Sequence, residues 1–361
     1  MRPVAKIHLN KLINNFNYIN SHIGSSNIYA VVKANAYGHG AIKIAKTLQG
    51  IGVHGFCVAT IEELIELRES SIAIPILHLG VLNEKKIDLY QSKNNICTIN
   101  SINDIKRIND FLKGSKEKLY CHLKIDTGMG RLGIPYNQAG DILRLIKNNN
   151  KIRLLGMYSH FSSSDTDNDY TKIQLEKFKL IIDTADRLMP EYKDYHISNS
   201  AGLLKSQSNH LNLVRAGISL YGVNNTKNKH NIKPVMKLKA PVIFIKNIKK
   251  GDFVGYNQTF QALRDTKVGY LQIGYADGYP LEMINSKTIF YNDILLNVIG
   301  KVSMDLTAID CTNINIQVGN FVTLFGEDKN KLEDICSKTT HSPYSMLTGI
   351  GNRVYREYIN E

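Results

Sequence analysis

The chain has 361 residues, 45 basic against 32 acidic for a formal net charge of +13, and 43% of it is hydrophobic. At about 100–200 residues per domain this length predicts two domains with real cores, and the composition excludes wholesale disorder and a fibrous repeat. No run reaches the roughly 18 apolar residues that span a bilayer, and the start Met1-Arg2-Pro3-Val4 has no unbroken apolar segment, so neither a membrane anchor nor a secretory leader is expected and the expected location is cytoplasmic.

An amphipathic stretch over 9–23 precedes the first predicted strand. Apolar, β-rich runs then fall at 28–34, 55–59, 74–80, 95–99, 119–126, 154–161, 195–199 and 213–222. Helix-period segments such as 61–67 and 173–189 lie between them. Strands apolar throughout suit a parallel sheet covered on both faces. Eight such units over about 220 residues match a (β/α)8 barrel, with a doubly wound open sheet as the structural alternative. Residues 224–233 are polar and read as a linker. Beyond them short strands are predicted at 241–245, 267–273, 288–290, 294–299 and 321–325, with brief helices at 332–336 and 344–348. The expected fold is therefore α/β: a TIM barrel in 1–228 followed by a mainly antiparallel β-domain in 229–361.

Lys and Arg are spread along the chain among Asn and Ile, which reads as solvated surface and predicts no nucleic-acid or membrane partner. A field of this sign would still attract a small anionic substrate. The cysteines Cys57, Cys97, Cys121, Cys311 and Cys336 are odd in number and lack metal-type spacing, so no metal site and no disulfide framework are expected. Cys57, Cys97 and Cys121 lie in apolar runs and read as small buried side chains.

A barrel builds its active site at the C-terminal ends of its strands. Lys33 lies there, in Val31-Val32-Lys33-Ala34-Asn35-Ala36-Tyr37-Gly38-His39-Gly40. Burial would lower its pKa and make it a candidate imine-forming nucleophile; a lysine snorkelling to solvent is the plainer alternative. The fifth strand runs into Lys124-Ile125-Asp126-Thr127-Gly128-Met129-Gly130-Arg131, where a planar guanidinium suits a carboxylate. The sixth ends at Ser159-His160-Phe161, the seventh in Asn199-Ser200-Ala201-Gly202, and the eighth carries Arg215-Ala216-Gly217-Ile218. The loops after strands seven and eight are the frequent phosphate site of this fold. A lysine, a phosphate cradle and two arginines at one barrel end describe pyridoxal 5′-phosphate.

The Lys33 motif is similar to the cofactor-lysine motif of alanine racemases. The resemblance covers nearly the whole chain, through Lys124–Gly133, Arg215–Gly222, Gly255-Tyr256-Asn257-Gln258-Thr259-Phe260, Ile273-Gly274-Tyr275-Ala276-Asp277-Gly278-Tyr279 and Gly300-Lys301-Val302-Ser303-Met304-Asp305. It implies an isomerase interconverting L- and D-alanine, with D-alanine supplied to peptidoglycan. It implies that Lys33 bears the cofactor, that Tyr37, Ser200, Gly217 and Ile218 surround its phosphate, that Asn199 lies in the same loop, and that Arg215 faces the pyridine nitrogen. Tyr256 would be the second base, acting in the partner's site of a homodimer. His160 would hydrogen-bond into the Tyr256–Arg215 system. Arg131 and the partner's Met304 would bind the substrate carboxylate region, and Lys124 matches a position carbamylated in some members. One departure is Asn352, where many members place a phosphate-contacting tyrosine.

The chemistry accounts for this set. Racemisation removes the Cα proton from one face and returns one to the other, so two opposed bases need not move. A lysine, with its reference pKa near 10, must be shifted downward to serve near neutral pH. An arginine opposite the pyridine nitrogen cannot accept a proton, which limits delocalisation of the carbanion and so limits side reactions. A broad-specificity racemase, a decarboxylase on the same architecture and a non-catalytic barrel that binds the cofactor are the alternatives; the last should lack the Tyr256 motif.

Overall fold

The computed structural model describes residues 1–191 and 193–360. Its first strand, β1 (Val4–His8), leads into the helix Leu9–His22, which buries Leu9, Leu12, Phe16 and Ile19 on one face. Strands β2 (Asn27–Val31), β3 (Gly55–Val58), β4 (Ile76–His78), β5 (Asn95–Ile99) and β6 (Leu119–Asp126) follow. After the short β7 (Ile134–Pro135) come β8 (Ile152–Tyr158), β9 (Asp194–His196) and β10 (Leu213–Ala216). All eight expected barrel strands are present. They pair in parallel in the order β10-β2-β3-β4-β5-β6-β8-β9. The ring closes through the Arg215 N–H, which donates to the Ser198 carbonyl at 3.1 Å. A closed ring excludes the open doubly wound sheet.

Local signals start the covering helices. Thr60 and Glu63 form a capping box at the helix Ile61–Glu69, and Ser101 and Asp104 form one at Ile102–Phe111. The long helix Asn168–Leu188 begins upstream of the expected 173, because the Asp167 side chain accepts from the Tyr170 N–H. Cys57, Cys97 and Cys121 are fully buried.

The remaining strands are β11 (Met236–Ile248), β12 (Phe253–Val254), β13 (Phe260–Gln261), β14 (Thr266–Leu271), β15 (Lys287–Tyr291), β16 (Ile294–Val298), β17 (Thr307–Asp310), β18 (Phe321–Phe325) and β19 (Tyr355–Ile359). Antiparallel pairings run β11-β14-β17-β16-β15-β18 and return to β11, so this part is a small closed barrel. β1 joins it, antiparallel to β11 and parallel to β19. The chain therefore begins in the antiparallel sheet before it builds the parallel barrel.

Two contacts fix the second sheet's C-terminal segment over the barrel mouth. Gly38 lies so close to the helix Pro343–Gly349 that an added Cβ would strike the Leu347 carbonyl. Arg356 Nε donates to the Gly38 carbonyl at 3.1 Å. No helix among the described residues is long and apolar enough to cross a membrane.

Candidate active site

The first barrel strand does not run to residue 34. It ends at Val31, and the chain turns left-handed: Ala34, Asn35, Ala36 and Tyr37 have φ of 52–53°. Left-handed L-residues cost about 1–2 kcal/mol each, so other contacts must hold this turn. Glu63 does so from the helix Ile61–Glu69, accepting from Ala34 N–H at 2.6 Å, Ala59 N–H at 2.7 Å and Thr60 N–H at 3.2 Å. Asn35 Oδ1 accepts from Ala41 N–H at 2.8 Å. The turn thereby sets Lys33 and Tyr37 on one cavity wall.

That cavity has a volume of about 630 Å³ and opens at the C-terminal ends of the strands. Ten of the residues singled out from sequence line it: Lys33, Tyr37, Lys124, Arg131, His160, Asn199, Ser200, Arg215, Gly217 and Ile218. Among the described residues no aspartate or glutamate lines it, so four cations face one space. Burial holds the Lys33 amine below the usual lysine range, and Arg131 adds to the shift. Burial, with Arg131 and Arg215 beside it, brings Lys124 down to about 8. Lys124 Nζ lies 5.5 Å from the centre of the Tyr158 ring and the Arg215 guanidinium carbon 5.2 Å from it.

Asp126 aims its carboxylate at the backbone rather than at a cation. Its Oδ1 accepts from the N–H groups of Gly128 and Met129 at 2.9 Å and of Gly130 at 3.1 Å, which folds the loop carrying Arg131 back over the mouth.

Arg215 is buried and its two Nη nitrogens are fully engaged. Nη1 donates to His196 Nδ1 and to the His196 carbonyl; Nη2 donates to Ser159 O at 2.7 Å, His160 Nδ1 at 3.1 Å and Ile197 O at 3.2 Å. Nε is left as the guanidinium donor for the cavity. Burial and the Arg215 charge push His160 and His196 well below the usual histidine range, so both accept as neutral rings. His196 also stacks on Tyr158, with centroids 4.9 Å apart.

At the other end, Ser200 Oγ accepts from Gly217 N–H at 3.0 Å, Ser219 N–H at 3.2 Å and Ser219 Oγ at 3.0 Å, which leaves its own hydrogen to donate. A Cβ at Gly217 would sit 3.0 Å from Tyr37 Oη and 3.6 Å from Ser200 Oγ, so three groups converge here and a side chain at 217 would crowd the Tyr37 hydroxyl. Burial raises the Tyr37 phenol, which keeps it a neutral donor. Asn199 Oδ1 caps the next helix from Gly202 N–H at 3.0 Å and accepts from Ser164 Oγ at 2.8 Å.

Tyr256 and Met304 do not line this cavity. They are 69% and 53% exposed, and Tyr256 stands on a loop whose Gly255, Asn257 and Gln258 have positive φ. Asn352 is exposed and outside the cavity. Sequence reasoning missed Glu63, Tyr158, Tyr344 and Thr348. Tyr158 lay inside an apolar run, and the others reach the site from the helices Ile61–Glu69 and Pro343–Gly349. Among the described residues no cluster of His, Cys, Asp or Glu is arranged to hold a metal ion.

A closed parallel barrel whose mouth gathers two lysines and two arginines, with no facing carboxylate among the described residues, defines a barrel protein with an electropositive cavity. Comparison with known proteins narrows this. A model described as the alanine racemase N-terminal domain matches residues 7–225, and one described as the C-terminal domain matches 235–358. The alanine racemase of Clostridium kluyveri is 34% identical over 370 residues, covering 99% of this chain and 94% of its own. That of Halothermothrix orenii is 35% identical, covering 100% and 98%. The solved alanine racemase of Clostridium difficile is 32% identical with a TM-score of 0.93, over 100% of this chain and 96% of its own. The Bartonella henselae structure, with covalently bound pyridoxal phosphate, is 30% identical with a TM-score of 0.87, over 99% and 100%. The chain belongs to the alanine racemase family, a family of isomerases.

Proposed function

We propose that the protein is a pyridoxal-phosphate-dependent racemase that interconverts L- and D-alanine with two bases and supplies D-alanine for peptidoglycan. The supporting observation is one electropositive cavity that joins a depressed lysine amine to the Tyr37–Ser200–Gly217 convergence. These residues fit the cofactor: Lys33 would hold its aldehyde carbon, Tyr37, Ser200, Gly217 and Ile218 its phosphate, and Arg215 its ring nitrogen, with Asn199 shaping the same loop. Pyridoxal phosphate supplies an electron sink for a carbanion at the substrate Cα.

The chain's own groups do the rest. Arg131 binds the substrate carboxylate through charge-assisted hydrogen bonds, with Met304 of a second copy closing the same region. Lys33, already lowered by burial, takes or returns the proton on one face of Cα. Tyr256 does so on the other, reaching from the second copy of a homodimer; its exposure and projecting loop favour that reading. Arg215, held by His160 and its other acceptors, presents a fixed donor and no removable proton to the ring end. The reading divides the chain at 228/229, assigns the second base to the latter part, and keeps the enzyme cytoplasmic.

Lys124, at about 8, is a site for carbamylation: its neutral amine adds to carbon dioxide, releases one proton and becomes an anion beside Arg131. A mass gain of one carbon dioxide on the Lys124 peptide in bicarbonate is expected; an unchanged mass contradicts the assignment. The main test is borohydride reduction of the yellow holoenzyme followed by peptide mapping. The cofactor adduct is expected on Lys33, and an adduct on another lysine would overturn the proposal.

A further inference from the structure

Tyr221 is buried behind the cavity wall, and the site described above makes no use of it. It ends the short 3-10 helix Ile218–Tyr221, which follows Gly217 at the phosphate end. Its Oη donates at 2.9 Å to the carbonyl of Val31, the last residue of β2 and two before Lys33. Its ring meets the far side of the left-handed turn, with its centre 5.0 Å from that of Tyr37 and 4.6 Å from that of His39. His39 Nδ1 lies 2.9 Å from the Tyr37 carbonyl and 3.1 Å from that of Ala36, so the stack also grips the backbone of the turn. One buried phenol therefore touches both ends of the turn that carries Lys33.

The segment behind Tyr221 is itself fixed. Gly222 has a φ of 84°, and a Cβ there would strike the Lys233 carbonyl. Buried Asn15 donates through Nδ2 to the Leu220 carbonyl at 3.0 Å and to the Lys233 carbonyl at 2.9 Å, and its Oδ1 accepts from Lys233 N–H at 2.8 Å. Ser219 donates to Ser200 Oγ through both its N–H and its hydroxyl. The phosphate loop and Tyr221 thus form one piece, and Tyr221 is where that piece meets the Lys33 strand.

We propose that Tyr221 is a positioning residue that sets the separation between the Lys33 amine and the phosphate end, so that both engage one cofactor molecule at once. This rests on the cofactor reading above. Tyr221 itself touches neither cofactor nor substrate. Burial raises its phenol well above the ordinary range, so the hydroxyl stays a neutral donor to Val31. Its effect is confined to a ligand held at both ends, because one held at a single end tolerates a changed separation.

The test is calorimetric titration of full-length apoenzyme with three compounds. Pyridoxal 5′-phosphate has both ends, pyridoxal has the aldehyde without the phosphate, and pyridoxine 5′-phosphate has the phosphate without the aldehyde. Tyr221→Phe keeps the ring and its stacking and removes only the bond to Val31. It is expected to weaken pyridoxal 5′-phosphate about 10-fold, the scale of a buried carbonyl left unpaired, and each single-ended compound by less than about 2-fold. His39→Phe, which keeps a ring against Tyr221 and removes the bonds to the turn, is expected to show the same selectivity. Equal weakening of all three compounds, weakening of one single-ended compound as large as that of pyridoxal 5′-phosphate, or unchanged binding of pyridoxal 5′-phosphate in Tyr221→Phe would overturn the proposal. Wild-type protein that binds pyridoxal 5′-phosphate no more tightly than the single-ended compounds would overturn the cofactor reading itself.

Discussion

Replacing Glu63 tests whether the lysine is placed by the turn that follows it. The turn holds four consecutive left-handed residues at about 1–2 kcal/mol each. The bond from Ala34 N–H to Glu63 Oε1, at 2.6 Å, is charge-assisted and contributes about 1.5–3 kcal/mol. Removing it therefore cancels the support for one or two of the four strained residues. Glu63→Ala also uncaps Ala59 and Thr60, so the two ends of the clamp fail together. The turn should relax toward right-handed backbone and carry Lys33 and Tyr37 off the cavity wall. The expected results are a lowered unfolding temperature and at least a 10-fold loss of cofactor affinity in a spectroscopic titration, from about 1.5 kcal/mol or more. Glu63→Gln keeps one acceptor oxygen and should fall between. Unchanged affinity and unfolding temperature in Glu63→Ala would refute the claim that this carboxylate holds the turn.

Arg131→Ala should lose roughly 10- to 150-fold in kcat/KM for alanine, the range of about 1.5–3 kcal/mol for a charge-assisted contact; an unchanged value would make Arg131 only a loop residue. Acid should destabilise the fold through its buried neutral histidines. His122 is pushed down to about 3 and His39 to about 4, in both cases mainly by burial. The unfolded chain binds protons below about pH 6.5 that the native rings refuse, so stability is full above that pH. It should fall by about 1.4 kcal/mol per pH unit per histidine as the pH drops toward 4. Thermal unfolding at stepped pH measures this, and a flat profile between pH 6.5 and 5 contradicts it.

The eight barrel strands were legible because each is an apolar run bounded by turn residues, a local signal. Most strands of the second sheet showed themselves in the same way. β1 did not: it is a five-residue run before a helix, and what makes it a strand is its pairing with β11 and β19, far away in sequence. The left-handed turn was equally hidden. In Ala-Asn-Ala-Tyr only the asparagine favours positive φ, and what holds the turn is the Glu63 carboxylate on the helix Ile61–Glu69 together with the Asn35 side chain. Lys33, Arg131 and Arg215 could be read from strand ends, since a barrel places those ends in one ring whatever the loop detail. Tyr344 could not, because nothing in a brief C-terminal helix says that it closes over the mouth. Tyr256 was readable only through its motif, and within one chain it stands exposed, away from the cavity.

The central claim, two bases on opposite faces of Cα, is tested most directly by Tyr256→Phe in deuterium oxide, following Cα exchange of each alanine enantiomer separately. Loss of one positioned acid–base group should slow racemisation about 10²- to 10⁴-fold, equally in both directions because the enantiomers are equal in energy. Exchange should not be equal. The enantiomer whose proton faces Lys33 should continue to exchange with retention while the other stays nearly inert. Equal exchange of both would contradict the account and point to a single base that swings across the plane.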